Sequence, residues 1–332
     1  MLALGHPTAA VFPRDGAPAI IRARTTRSVA VSSPNGLAAI SKAVEVAESG
    51  ADSLDAVVEG VKLLELEPED ESTGYGGLPN AEGVVQLDAS CIHGPSGRSG
   101  AVAALEGIRT PSEVAKLVLK YTDHTLLVGE GAKRFALSYG FKDENLLTER
   151  SRGKWLAWRA NYGSEDQGQE WPGDEMLAAG SPGGIYLGLV NTAGDIASAT
   201  STSGPAWKAP GRTGTWPVAG ARQYVDNDVG AAGSSGLGEP GMMECGGFIT
   251  VEQMRRGLRP TDAALGALKR IVARTPARFL MRSGLPRFSL TYYAVNKRGE
   301  FGAASLYPDR FAAHDGRRMA ERDTAYLYDK AL

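Results

Sequence analysis

The sequence predicts an α+β fold in which two stacked, mainly antiparallel sheets lie between helical layers, and three observations carry that reading. Helices, then strands, then helices, then strands follow one another, without the strict alternation of a parallel doubly wound sheet. The strand candidates are apolar runs with little polar alternation, as expected of strands covered on both faces. A hairpin pattern also occurs twice, because Val190-Asn191-Thr192-Ala193-Gly194-Asp195 is echoed by Val295-Asn296-Lys297-Arg298-Gly299-Glu300.

In chain order, Ser28 to Ser32 is a short β-branched strand followed by a Pro-Asn-Gly turn. Leu37 to Glu48 has helical apolar spacing and ends before Gly50. Ser53 is placed to cap a second helix, whose apolar stripe is Leu54, Val57, Val58, Val61 and Leu64. Val84 to Asp88 alternates like a strand. Thr110-Pro111-Ser112-Glu113 reads as a capping box opening a helix over 112–120. From 150 to 183 the pattern dissolves into Gly, Ser, Asp, Glu, Trp and Gln, which reads as a linker dividing the chain. Beyond it come the hairpin 185–202, helices over 251–256 and 261–272, and the second hairpin. The expected organisation is a loose extension over 1–27 and one domain over 28–332, its halves meeting between residues 183 and 184.

Bulk properties narrow the function. The chain has 332 residues, 42% of them hydrophobic and 22% charged, with a formal net charge of −2. That balance belongs to an ordinary globular protein, and the interleaved acids and bases leave no footprint for nucleic acid. Cys91 and Cys245 are too few and too far apart for a disulfide framework, and buried thiols are expected. The four histidines form no ligand pair, so neither a metal nor another cofactor is expected. No run approaches the ~20 apolar residues of a membrane helix. The first 27 residues lack a signal core, which points to the cytoplasm, with a degenerate export signal as the alternative.

Two segments have the composition of a site. Thr200-Ser201-Thr202-Ser203-Gly204 gathers hydroxyls at a strand end, and glycines 230, 233, 236 and 238 let backbone N–H groups approach a ligand. A hydroxyl-rich turn and a plain glycine turn are the simpler readings of each. Together with Gly74-Tyr75-Gly76-Gly77-Leu78-Pro79-Asn80, Leu87-Asp88-Ala89-Ser90, Pro210-Gly211-Arg212, Val225-Asp226-Asn227-Asp228 and Met254-Arg255-Arg256-Gly257, the chain resembles a known family. This is the glycosylasparaginase (N4-(β-N-acetylglucosaminyl)-L-asparaginase) and plant-type asparaginase family of N-terminal nucleophile hydrolases.

The resemblance implies a four-layer αββα sandwich, autoproteolysis before a threonine, and hydrolysis of the side-chain amide of asparagine derivatives. It implies a homodimer acting on a small-molecule amide, and the composition adds neither membrane nor nucleic acid as partner. Counting back from Gly194 and Thr202, the nucleophilic threonine falls on position 184, where the residue is Gly184. Glycine has no oxygen with which to attack an amide. By the same resemblance Thr202 supports the nucleophile, Arg212 grips the substrate α-carboxylate, Ser235 and Gly236 form the oxyanion hole, and Gly238 lines the substrate. Thr215 stands where the family holds the α-ammonium with an aspartate, a second departure. Ser181 is the nearest substitute hydroxyl, but Pro182 follows it. Two readings result: an asparaginase-type amidohydrolase, uncleaved and impaired as it stands, or a natural non-catalytic relative serving as a binding or structural module.

Overall fold

The computed structural model describes residues 27–161 and 183–329. Ser181 and almost all of the N-terminal extension lie outside them. The strands are β1 (Val29–Ser32), β2 (Leu87–His93), β3 (Arg98–Leu105), β4 (Leu126–Val128), β5 (Ile185–Val190), β6 (Ile196–Thr202), β7 (Tyr224–Asp226), β8 (Gly230–Gly236), β9 (Leu290–Asn296), β10 (Phe301–Ser305), β11 (Arg310–His314), β12 (Met319–Asp323) and β13 (Ala325–Tyr326). The helices are α1 (Leu37–Glu48), α2 (Ser53–Glu65), α3 (Pro111–Tyr121), α4 (Gly129–Ser138), α5 (Glu149–Asn161), α6 (Gly238–Met243), α7 (Gly246–Arg255) and α8 (Pro260–Ala273). An eight-stranded sheet runs β12-β11-β1-β5-β6-β2-β3-β4, and a five-stranded sheet runs β13-β10-β9-β8-β7. All pairings are antiparallel except β3 with β4 and β10 with β13.

The period of two along a strand builds the layers. In β5, Ile185, Leu187 and Leu189 pack with α1 and α2, while Tyr186 and Val190 turn to the other sheet and meet Ala231, Tyr293 and Val295. In β9, Tyr293 and Val295 face between the sheets, while Leu290 and Tyr292 pack on Ala264, Leu268 and Ile271 of α8. Every residue of β5, β6 and β9 is buried, so an αββα sandwich accounts for the absence of polar alternation. The two echoed hairpins use one device. The Asn191 side-chain oxygen accepts from the N–H of Ala193 and Asp195, and that of Asn296 accepts from Arg298 and Glu300.

Several local expectations are corrected. The second helix is capped by Asp52, whose carboxylate accepts the Leu54 N–H at 2.8 Å, so Ser53 is its first residue. Val84 to Gln86 lie outside the strand, because the Asn80 side chain accepts the N–H groups of Glu82 and Val84 and bends the chain there. The linker expected from 150 opens instead with helix α5. That helix has no apolar stripe, but Arg150 and Lys154 pair with Glu71, Trp155 Nε1 donates to the Ala81 carbonyl, and Trp158 stacks on Trp207. Cys245 is exposed, since it joins α6 to α7 in a left-handed conformation with φ 49°, whereas Cys91 is buried. No helix among the described residues is long and apolar enough to cross a membrane.

The capping box at residue 110 does not form either. Thr110 makes no side-chain cap, and the buried carboxyl of Glu65, at the end of α2, accepts from the N–H and hydroxyl of Ser112 instead. Burial pushes Glu65 up to about 7, against the pull of the Ser201 and Ser112 hydroxyls. In the unfolded chain the group titrates near 4.5, so between these values the native state binds the extra proton. The stability it contributes is therefore complete below the lower value and lost as pH rises through the upper one. The difference is roughly 3 kcal/mol. Urea titrations from pH 4.5 to 8 are expected to show this decline in the parent relative to Glu65→Gln, and parallel pH profiles would refute it.

Candidate active site

The hairpin β5–β6 positions the centre of the site. Ile185 pairs with Ser201, which sets Gly184 beside Thr202 at the head of β5. A Cβ placed on Gly184 would lie 2.2 Å from the Ser201 carbonyl oxygen, 2.5 Å from Thr202 Cβ and 2.8 Å from Thr202 Oγ1. Only a residue without a side chain fits this backbone. On the opposite side, a Cβ on Gly183 would be 3.4 Å from both Ser235 Cβ and the Gly236 nitrogen. Residues 183 and 184 therefore thread between Thr202 and the Ser235-Gly236 pair, and four positions singled out in the sequence are neighbours in space.

The hydroxyls are engaged. Thr202 Oγ1 donates to the Ser72 carbonyl at 3.3 Å and accepts the Gly204 N–H at 2.9 Å. Thr200 meets Ser90 at 3.0 Å, and Ser201 meets Thr73 at 2.6 Å. Ser235 Oγ lies 2.5 Å from the Tyr293 hydroxyl. Most of the glycine-rich segment is not a loop but strand β8, paired with β9 from Gly230 to Gly236. Its Gly233 makes room for the buried Tyr186 ring, since a Cβ there would fall 2.1 Å from Tyr186 Cδ2. Gly236 has φ +96° and so suits a glycine where the strand leaves the sheet.

Arg212, Thr215 and Gly238 form the second part of the site. The Arg212 guanidinium packs over Gly204 and Gly214, with side-chain exposure of 16%, and is ion-paired with Glu239. Thr215 is buried and its Oγ1 accepts from Arg222 Nε at 2.6 Å. A Cβ on Gly238 would be 2.8 Å from Thr215 Oγ1 and 3.2 Å from Arg222 Nη2, so the glycine permits this approach. Beneath them, buried Asp88 accepts the N–H groups of Ala104 and Gly214, and buried Lys208 donates to the Gln86 carbonyl. Burial lowers the Lys208 pKa, and the Asp88 charge opposes that fall.

Arg222 and Glu239 lie against this candidate site, on Thr215 and Arg212, but did not emerge from the sequence. Arg222 is fully buried, donates to Thr215 Oγ1 and to the carbonyls of Ser234 and Gly236, and lies 3.9 Å over the Trp216 ring. Burial brings it down to about 10, which still leaves it charged at neutral pH. Its signal was an arginine set directly after the small run Ala219-Gly220-Ala221. Glu239 offered only its position beside Gly238.

A family model described as asparaginase matches residues 8–280 of the chain. The chain belongs to the asparaginase family. It is 39% identical over 295 residues to the N(4)-(β-N-acetylglucosaminyl)-L-asparaginase of Elizabethkingia miricola, covering 88% of this chain and 82% of that protein. It is 32% identical over 310 residues to an Arabidopsis thaliana protein named probable isoaspartyl peptidase/L-asparaginase 3, covering 83% and 84%. An asparaginase-type αββα fold and these relatives account for the sequence marks from Gly74 to Gly257 together. The family is one of asparaginase and glycosylasparaginase-type amidohydrolases.

Proposed function

We propose that this asparaginase-family chain is a non-catalytic member, retaining an asparaginase-type pocket for a small ligand while neither cutting itself nor hydrolysing a side-chain amide. The observation that carries it is the close fit around Gly184, where a side chain of any kind would strike the Ser201 carbonyl. Thr202 is the adjacent hydroxyl, and it is buried and hydrogen-bonded at both its donor and its acceptor side. Among the described residues no histidine hydrogen-bonds to it, and in an unbroken chain residue 184 has no free α-amine to act as its base. Thr215 supports the same reading, because a single lost nucleophile would leave the substrate-holding acid in place.

Two measurements on the purified full chain test this. Intact mass spectrometry is expected to give one species near 34.9 kDa, and ammonia release from L-asparagine is expected to stay at background. Two fragments, or turnover above background, would establish instead an amidohydrolase acting on asparagine derivatives through another group, with Ser181 as the residue to replace.

A further inference from the structure

Arg222 brings into the site a buried positive charge that no carboxylate among the described residues pairs with. Its three nitrogens are satisfied by neutral oxygens, those of Thr215, Ser234 and Gly236, and its apolar face rests on Trp216. Such a charge is costly to bury, and buried guanidiniums are normally matched by an acid. The nearby acid is Glu239, one of whose oxygens is ion-paired with Arg212, while the other is buried and has no hydrogen-bond partner among the described residues. Two guanidiniums therefore stand near one carboxylate, which is paired with Arg212 alone among the described residues. Behind the site, the charge of buried Asp88 offsets the burial of Lys208.

We infer that the site selects a small carboxylate without an ammonium group, and that Arg222 is the residue that sets this preference. The inference rests on the proposed reading of the chain as a non-hydrolysing binder. An anionic ligand reaching Arg212 supplies the missing negative charge. Arg212 Nε is buried and has no hydrogen-bond partner among the described residues, so it offers a donor for such a group. A ligand ammonium would meet the opposite conditions. The Thr215 oxygen already accepts from Arg222 at 2.6 Å, and the guanidinium behind it repels a second cation. An amino-acid head group thus loses a charge-assisted bond and gains a like-charge neighbour, a penalty of about tenfold or more in affinity.

Succinate and L-aspartate differ only by the ammonium and are the probes. Calorimetric titration of the full chain is expected to show succinate binding at least about tenfold more tightly than aspartate. In Thr215→Asp, where the new carboxylate neutralises Arg222, the preference should shrink or reverse. Equal or tighter binding of aspartate by the parent chain, or no binding of either compound at millimolar concentration, overturns the inference. The parent ratio decides it even if the variant does not fold, and a Thr215→Asp chain that folds yet keeps the parent preference also overturns it. Ammonia release from asparagine, measured in the same preparation, would bring down the non-catalytic reading while leaving the ligand ratio as a separate result.

Discussion

Gly184→Thr is expected to yield a chain that breaks after Gly183, whereas Gly184→Ala should leave it intact and less stable. Both follow from the same contact. A Cβ at this position begins 2.2 Å from a backbone oxygen and 2.5 Å from Thr202 Cβ, and neither atom is the free end of a flexible side chain. Overpacking of this kind costs about 1–3 kcal/mol. For alanine, with no hydroxyl, that strain is the whole effect and should lower Tm by several degrees. Threonine adds an oxygen next to the Gly183 carbonyl. Its attack on that carbon forms an ester as the C–N bond to residue 184 breaks, and water then divides the ester into a carboxylate and the restored hydroxyl. Cleavage releases the strained connection, so relief and chemistry act together. A denaturing gel should show two fragments that separate only after denaturation. An undivided Gly184→Thr chain refutes the junction, and an unchanged Tm in Gly184→Ala refutes the fit.

What the sequence revealed and what it hid have physical explanations. The hairpin over residues 185–202 was legible because its turn is fixed by Asn191 and Gly194, and that fixed the count placing Gly184 beside Thr202. The layer order followed from apolar strands whose two faces are both covered. Helix α5 was hidden because it is held by ion pairs and two tryptophans rather than by an apolar stripe. The cap of α3 was hidden because Glu65 reaches it from the end of another helix, 47 residues away in sequence. Arg222 was hidden for a similar reason. Its partners, Thr215, Ser234 and Gly236, come from segments that meet only in the folded site. Local propensity reads contacts near in sequence, while these depend on tertiary proximity.

Asp88→Ala is expected to cost about 1–3 kcal/mol, because it leaves two N–H groups without their acceptor and takes away a buried carboxylate whose charge acts on Lys208. Asp88 lies within the motif Leu87-Asp88-Ala89-Ser90, and its role is to support the site from below. One carboxylate oxygen accepts the N–H of Ala104 at 2.9 Å, where the chain takes the left-handed φ of 47°. The other accepts the N–H of Gly214 at 3.3 Å, between Arg212 and Thr215 in the chain. Its charge also offsets the burial of Lys208, which donates to the Gln86 carbonyl at 2.9 Å. Alanine thus orphans two N–H groups and isolates an ammonium. Asp88→Asn retains acceptor capacity and should lose less. In Asp88→Ala/Lys208→Met the buried cation is gone, so the double variant should be more stable than the two single losses summed, by more than about 1 kcal/mol. Urea unfolding with an unchanged slope is the measurement. Additive losses, or less than about 1 kcal/mol for Asp88→Ala, would mean that the pair is not coupled and that Asp88 does not hold the Arg212 segment in place.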